Sequence, residues 1–171
     1  MASNRHLGRI VALQTLYELD FRVEVQEKDL DKKAILVRNI DRYSEVVDDK
    51  DFITKLVEGV TDHQDELDAI IQPVASDWPL SQIARIDRSI LRMGVYELHF
   101  NSKVPQKVVI NEAVELAKSF GADNSSKFIN GVLGTVLKHL EEKAAKPEQK
   151  TPKPSKLPAT DKKPAKKKET K

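Results

Sequence analysis

Residues 104–140 read VPQKVVINEAVELAKSFGADNSSKFINGVLGTVLKHL and predict two consecutive helices joined by a short turn. Pro105 suits the opening turn of the first helix, where no backbone N–H is needed. Gly121 is expected to end that helix as a left-handed C-cap, and residues 123–126 offer N-cap side chains for the next one. Each helix carries apolar side chains at helical spacing on one face. The first apolar face comprises Val109, Ala113, Leu116, Ala117 and Phe120, and the second comprises Phe128, Ile129, Val132, Leu133, Val136, Leu137 and Leu140.

Two glycines interrupt the second of these helices. Gly131 and Gly134 each cost about 1 kcal/mol relative to Ala in a helix interior. Close approach of a neighbouring helix would explain them, and so would close approach of a ligand. The sequence leaves both explanations open.

The same periodicity continues upstream and predicts an all-α protein. Predicted helices cover residues 4–22, about 29–47, about 51–71 and 80–100, the last with a break near residues 84–85. Trp78 is expected to be anchored in a joint over residues 74–79. No stretch shows the sustained alternation typical of strands. We therefore expect two packed small helical subbundles, divided near Trp78, with about seven helices in total.

Side-chain directions follow from the same pattern. In the second predicted helix Ala34 and Val37 are expected to point inward. After the joint, the charged side chains are expected to stay outside; they are Arg85, Asp87, Arg88 and Arg92.

The positive charge of the chain is concentrated at its C-terminus. Residues 144–171 contain ten Lys against three acidic residues, a net charge of +7, so residues 1–143 carry −5 of the whole-chain net charge of +2. We therefore expect a helical domain over 1–143 and a disordered Lys-, Pro- and Ala-rich tail over 144–171. The tail would either strengthen RNA binding without sequence preference or serve only solubility.

The residue types exclude several function classes. The chain has no Cys and four scattered His residues, and it contains none of the common catalytic or phosphate-binding motifs. No catalytic residue, metal site or cofactor is therefore predicted. No segment approaches the roughly 20 apolar residues of a membrane span, and no signal peptide is recognisable. We expect a cytoplasmic protein without a membrane partner.

Two arginines lie one helical turn apart at the start of the first helix. Cations at a helix N-terminus oppose the helix dipole. Arg5 and Arg9 are therefore either solvated or placed to meet an anion.

Two segments carry a family resemblance. IDRSILRMGVYEL at residues 86–98 is followed by residues 104–134, quoted above, and the first helix fits the pattern R-x-x-A-[LV]-Q-x-L-Y from Arg9 to Tyr17. Together they closely resemble the NusB family of bacterial transcription antitermination factors. Residues 23–75 match that family only in helical pattern, and the tail is not part of the usual pattern.

The resemblance implies a fold, partners and a function. The fold would be the all-α NusB fold of two subbundles. The partners would be NusE, which is a ribosomal protein of the small subunit, and the single-stranded boxA element of nascent transcripts. The pair would bind RNA more tightly than the NusB-like chain alone. It would act in antitermination on ribosomal RNA operons, within an elongation complex that contains other Nus factors.

The family's RNA contacts lie on the first helix and at the turn before the last helix. Here they correspond to Arg5, Arg9, Asn124, Lys127 and Phe128. Cations for phosphates and aromatic faces for unstacked bases are what single-stranded RNA requires. For Phe128, a place in the core remains the alternative to RNA contact.

The family's contacts with the ribosomal protein involve the first helix and the helix after the joint. They correspond to Tyr17, Glu18 and Asp87, of which Tyr17 could equally be a core residue. An acidic domain and a basic ribosomal protein are electrostatically complementary. The family's first helix often begins with a denser arginine cluster, which leads to the hypothesis that the Lys tail replaces the missing charge.

Two other functions compete with this one. A NusB-like domain fused to an RNA cytosine methyltransferase would need a catalytic domain with a nucleophilic Cys, and this chain has no Cys. A helical adaptor that binds only protein would differ from an antitermination factor by failing to bind a boxA-type RNA.

Overall fold

The computed structural model describes residues 4–75, 78–101 and 103–145. Within these ranges the chain forms seven α-helices, one short 3-10 helix and no strand, which confirms the all-α prediction. The predicted tail lies outside the described residues, apart from the two alanines that end the last helix. The helices are α1 (Asn4–Glu24), α2 (Lys32–Arg42), α3 (Lys50–Asp62), α4 (Gln64–Ile71), α5 (Arg85–Phe100), α6 (Gln106–Phe120) and α7 (Ser125–Ala145).

Helix α5 is the common element of the two subbundles. It packs against α1, α3 and α4 on one side and against α6 and α7 on the other. Its apolar residues Ile90, Leu91 and Val95 are completely buried. The pair α6–α7, which residues 104–140 encode, therefore packs on α5 to complete one subbundle.

Several boundaries differ from the predictions. The predicted helix over 51–71 is two helices, because His63 leaves the helical conformation and its N–H closes α3 on the Gly59 carbonyl at 3.1 Å. The break near residues 84–85 is confirmed, since a 3-10 helix over Leu80–Gln82 precedes α5. Trp78 is 57% exposed, so the prediction that it anchors the joint is wrong.

Helix α2 is shorter than predicted and presents a different face. Asp31 caps it by accepting the Ala34 N–H at 2.9 Å. Ala34 and Val37 are exposed, so the inward direction predicted for them is wrong. The buried positions of α2 are Ile35, Leu36, Asn39 and Ile40.

The glycines differ from one another in the space available for a Cβ atom, and the one predicted to be left-handed is not. Gly121 has φ −89°, so the predicted left-handed C-cap is wrong; a Cβ at this position would lie 2.6 Å from Ser125 Oγ. Gly131 and Gly134 have open space where a Cβ would stand, which excludes a neighbouring helix as their explanation. The close helix approach lies instead at Gly94 of α5, where a Cβ would meet Leu133 Cδ1 of α7 at 2.7 Å.

Among the described residues, no helix combines the length and the apolar character needed to cross a bilayer.

Candidate nucleic-acid and partner interfaces

Arg9 points into the protein. Its side chain is 3% exposed, and its Nε and Nη2 donate to the two carboxylate oxygens of Glu97 at 2.9 and 2.8 Å. Its Nη1 lies 3.5 Å from Glu112 Oε2. The anion that Arg9 meets is therefore internal, and a direct contact between Arg9 and RNA does not follow from its position.

Arg5 remains accessible at the start of α1. Its side chain is 51% exposed, and its Nη2 lies 3.4 Å from Asp49 Oδ2. The guanidinium carbons of Arg5 and Arg9 lie 4.9 and 5.2 Å from the centre of the same Phe52 ring. Phe52 thus brings the two arginines together, but only Arg5 keeps donors for a ligand.

The other predicted RNA contacts lie in residues 121–128, which comprise the connection between α6 and α7 and the first turn of α7. This segment is called the α6–α7 turn. Asn124 and Lys127 are exposed, and Phe128 is half-buried against the core. Ser125 is buried: its Oγ accepts the Ala122 N–H at 2.9 Å. The turn therefore presents three exposed polar side chains, those of Asp123, Asn124 and Lys127, while Phe128 is compatible with both RNA contact and a place in the core.

Asp87 anchors this turn from the start of α5. The Ser125 hydroxyl donates to Asp87 Oδ2 at 2.8 Å, and Asp87 is 8% exposed, so its predicted outward position is wrong. Burial raises the pKa of the Asp87 carboxyl, and the hydrogen bond from Ser125 lowers it by less. Asp87 Oδ1 has no hydrogen-bond partner among the described residues. Asp87 therefore joins the beginning of α5 to the α6–α7 turn.

The arginines of α5 converge on α1. Arg85, Arg88 and Arg92 lie 3.3, 2.6 and 3.2 Å from the carboxylate of Asp20. Arg92 also donates to both oxygens of Asp68 at 2.7 Å and is only 7% exposed, so its predicted outward position is wrong. These ion pairs fix the orientation of α5 against α1 and α4.

Tyr17 lines an open cavity of about 680 Å³ between α1 and the beginning of α5. Tyr17 and Phe21 are 39% and 47% exposed. The Arg85 guanidinium carbon lies 5.4 Å from the centre of the Tyr17 ring and 5.2 Å from that of Phe21. Phe120, from the end of α6, also lines the cavity. The aromatic side chains exposed together here are the kind of patch that marks an interaction site.

Phe21, Arg85 and Phe120 were not among the predicted site residues. The signal for the two phenylalanines is a surplus of apolar residues, because Phe21 and Phe120 extend apolar faces that already have enough side chains for packing; the sequence carries no corresponding signal for Arg85. Periodicity alone assigns such residues to the core, although both are in fact exposed.

Glu18 faces α2 rather than the cavity. It accepts hydrogen bonds from Arg38, Asn39 and Arg22. Partial burial raises the pKa of the Glu18 carboxyl, but these three hydrogen bonds outweigh burial and lower the pKa to about 2. The oxygens of Glu18 are therefore already occupied within the chain.

We expect Glu18→Gln to lower the free energy of unfolding at neutral pH by about 1 kcal/mol, because it removes the charge of a partly exposed ion cluster. A lowered folded-state pKa contributes stability above the unfolded-state pKa, and that stability is lost as the pH falls through the folded-state pKa. The difference between wild type and variant should therefore shrink as the pH falls from 4.5 to about 2. Urea unfolding across this pH range measures it. Glu27→Gln, which removes an exposed partner of Arg22, is the control; equal effects of the two variants would contradict the prediction.

Among the described residues, no three carboxylate or imidazole groups lie close enough together to hold a metal ion.

Known proteins resemble this chain over most of its length. The model of the NusB family matches residues 6–138. The transcription antitermination protein NusB of Chloroflexus aggregans is 43% identical over 151 residues, which cover 86% of this chain and 97% of that protein. NusB of Dehalococcoides mccartyi strain CBDB1 is 42% identical over 87% of this chain and 100% of its own length.

Solved structures share the fold. NusB of T. maritima superposes with a TM-score of 0.70 at 31% identity, covering 81% of this chain and 93% of that one. A crystal structure of the antitermination factors NusB and NusE in complex with dsRNA gives a TM-score of 0.68 at 25% identity, covering 81% and 99%. The relatives' names confirm the prediction that the chain is not an enzyme. The chain belongs to the NusB family of transcription antitermination proteins.

Proposed function

We propose that this chain pairs with the ribosomal protein NusE and binds boxA-type single-stranded RNA in nascent transcripts of ribosomal RNA operons. It would do so in the cytoplasm, as part of an elongation complex with other Nus factors. The observation that carries the proposal is the Ser125–Asp87 hydrogen bond, which connects the α6–α7 turn to the first turn of α5, where Arg85, Ile86 and Arg88 line the Tyr17 cavity.

The chemistry of the α6–α7 turn supports RNA as its ligand. Lys127 supplies an exposed cation for phosphate, Asn124 supplies donor and acceptor atoms for a base edge, and Phe128 keeps part of its ring accessible. Unstacked bases are recognised by this combination of groups. Arg5 adds a second exposed cation on α1, whereas Arg9 would act by holding α1 on α5 through Glu97.

The Tyr17 cavity supports a protein partner. Its aromatic side chains and Arg85 belong to the residue types that dominate binding energy in protein interfaces. A complex of NusB and NusE with RNA is known for a chain of the same fold. In this chain the partner would cover Tyr17 and approach the beginning of α5.

Asp87 offers a physical link between the two ligands. A partner bound over the start of α5 would restrict the movement of that helix end. Because Ser125 donates a hydrogen bond to Asp87, the movement of the α6–α7 turn would be restricted as well. Ordering the turn in advance lowers the entropic cost of binding RNA. The partner should therefore increase RNA affinity.

Fluorescence anisotropy with labelled RNA tests the proposal. At about 150 mM salt, where non-specific binding is weak, the chain with purified NusE should bind a boxA-type RNA more tightly than a scrambled RNA. Omitting NusE should weaken binding. Equal affinity for both RNAs in the presence of NusE would refute the proposal.

Variants separate the two surfaces. Lys127→Ala should weaken RNA binding and reduce the salt dependence by about 0.7 in the logarithmic slope, as for one lost phosphate contact. Tyr17→Ala should weaken NusE binding by about 2 kcal/mol. Lys33→Ala, an exposed change on α2, is the control for charge.

A chain that ends at Ala145 measures the contribution of the Lys tail to RNA binding. Unchanged RNA affinity and an unchanged salt slope would contradict the hypothesis that the tail replaces the missing arginine charge.

A further inference from the structure

A second cavity, of about 290 Å³, opens on another side of α1. It lies where the first turn of α1, the beginning of α3 and the end of α5 meet. Three cations line it, and so do the rings of Tyr96 and Phe100. The cations are Arg5, Lys55 and Lys103. None of the functional assignments above uses the two lysines or the two rings.

The aromatic side of this cavity is held in place. Phe100 is 40% exposed, and its ring centre lies 5.3 Å from that of Tyr96 and 4.4 Å from that of His63. Tyr96 in turn occupies the space above Gly59, where a Cβ would lie 2.1 Å from Tyr96 Cζ. Only glycine leaves room for this ring. The ring of Phe100 is therefore partly exposed, and its contacts with Tyr96 and His63 hold it in position.

The cations of the cavity are available to a ligand. Lys55 and Lys103 are exposed, and neither has a carboxylate partner within residues 4–75, 78–101 and 103–145. Arg5 has one weak ion pair and remains half exposed. Free cations beside an exposed aromatic ring are the combination on which single-stranded nucleic acids bind, since phosphates meet the cations and bases stack on the ring.

The carboxylates at this cavity argue against an acidic peptide. Asp49 and Asp51 also line it, and they would repel acidic side chains and phosphates alike, so the ligand that fits has a neutral polar group for the carboxylates beside the anionic groups that meet the lysines. A nucleobase has N–H groups that a carboxylate accepts, as well as a flat face for Phe100. The volume suits one base rather than a duplex, and the groups fit a nucleotide better than a protein segment.

We propose that this cavity is an additional subsite for single-stranded RNA, in which one base stacks on Phe100 and the flanking phosphates meet Lys55 and Lys103. The inference rests on the proposed function, because it extends the RNA beyond the α6–α7 turn. Arg5 belongs both to this cavity and to the RNA contacts expected on α1. It would therefore lie where the RNA passes from the α1 contacts to the cavity.

The test compares matched variants of the full chain bound to NusE. Two labelled RNAs are titrated by anisotropy at several salt concentrations: a short RNA limited to the boxA-type element and the same RNA extended by uridines at both ends. Lys55→Ala with Lys103→Ala should lower affinity for the extended RNA and reduce the logarithmic salt slope by about 1.4, as for two phosphates on a single strand. Lys32→Ala with Lys33→Ala removes the same charge from α2 and should change neither.

The aromatic contribution is tested separately. Phe100→Leu keeps an apolar side chain but removes the flat ring, and it should weaken binding of the extended RNA about fivefold or more without changing the salt slope. Thermal unfolding of each variant verifies that the fold is retained.

Three results would overturn the inference. If wild type binds the extended RNA and both cavity variants bind it equally well with the same slope, the cavity is not an RNA subsite, and the proposed function stands. If the variants lose NusE while retaining RNA affinity, the cavity belongs to a protein interface. If wild type does not prefer the boxA-type RNA at all, the proposed function fails together with the subsite.

Discussion

Arg9→Ala is expected to lower the free energy of unfolding by about 3–5 kcal/mol, because it leaves the buried carboxylate of Glu97 without its partner. Both side chains are 3% exposed and form two parallel hydrogen bonds. A domain of this size is stable by about 5–15 kcal/mol, so the expected loss is a large fraction of the whole stability. Urea denaturation followed by circular dichroism measures the loss.

A double variant separates the buried charge from the packing. Arg9→Met with Glu97→Leu replaces the ion pair by apolar side chains of similar size, which is often neutral or stabilising. It should recover most of the stability that Arg9→Ala loses. A double variant as unstable as the single one would show that the lost packing, rather than the orphaned charge, causes the effect.

Because Arg9 stabilises the fold, Arg9→Ala by itself does not test whether Arg9 contacts RNA. Arg9→Ala should weaken binding of RNA and NusE together through unfolding, which says nothing about direct contact. The double variant, once folded, decides the question: unchanged RNA affinity assigns Arg9 an internal role, and selective loss of RNA binding supports contact.

Gly94→Ala should destabilise the α5–α7 interface by about 1–3 kcal/mol through overpacking. The added methyl group would lie 2.7 and 3.0 Å from the two Cδ atoms of Leu133. Leu133 is completely buried, so relief of the contact would require its side chain to repack within the core. Leu133→Ala alone should cost about 2–5 kcal/mol by leaving a cavity.

The two changes should compensate each other in part. In the double variant the methyl group introduced by Gly94→Ala enters the space that Leu133 vacates, so the total loss should be smaller than the sum of the single losses. Gly134→Ala is the control on α7: it faces open space and should stabilise the chain by about 1 kcal/mol. Strict additivity, or equal effects of Gly94→Ala and Gly134→Ala, would contradict this account of the interface.

Periodicity located the core of α6 and α7 well. Val109, Leu116 and Ile129 are buried as predicted, because each helix face buries side chains that recur with the helical period. It failed where apolar residues exceed what packing requires. Phe21 and Phe120 continue apolar faces and yet are exposed, Phe120 in the lining of the Tyr17 cavity and Phe21 beside Arg85, since a single helix pattern contains no information about where its neighbour ends.

The predicted site residues fall into two groups: some are exposed as the sequence predicts, and others are paired inside the chain. Asn124 and Lys127 are exposed in the turn as expected for ligand contacts. Arg9, Glu18 and Asp87 are instead engaged inside the chain. Their role as contacts stays a prediction, and their structural role is the part that the sequence did not reveal.

The sequence by itself determined the helical fold class, the family and the turn that carries the exposed polar groups, because these depend on local periodicity and on contiguous motifs. Only the tertiary structure decided which charges are buried. Arg9 meets a carboxylate 88 positions away, and Asp87 meets a hydroxyl 38 positions away. Whether a charged residue is solvated or paired depends on the group that folding brings beside it, and no pattern within one helix specifies that group.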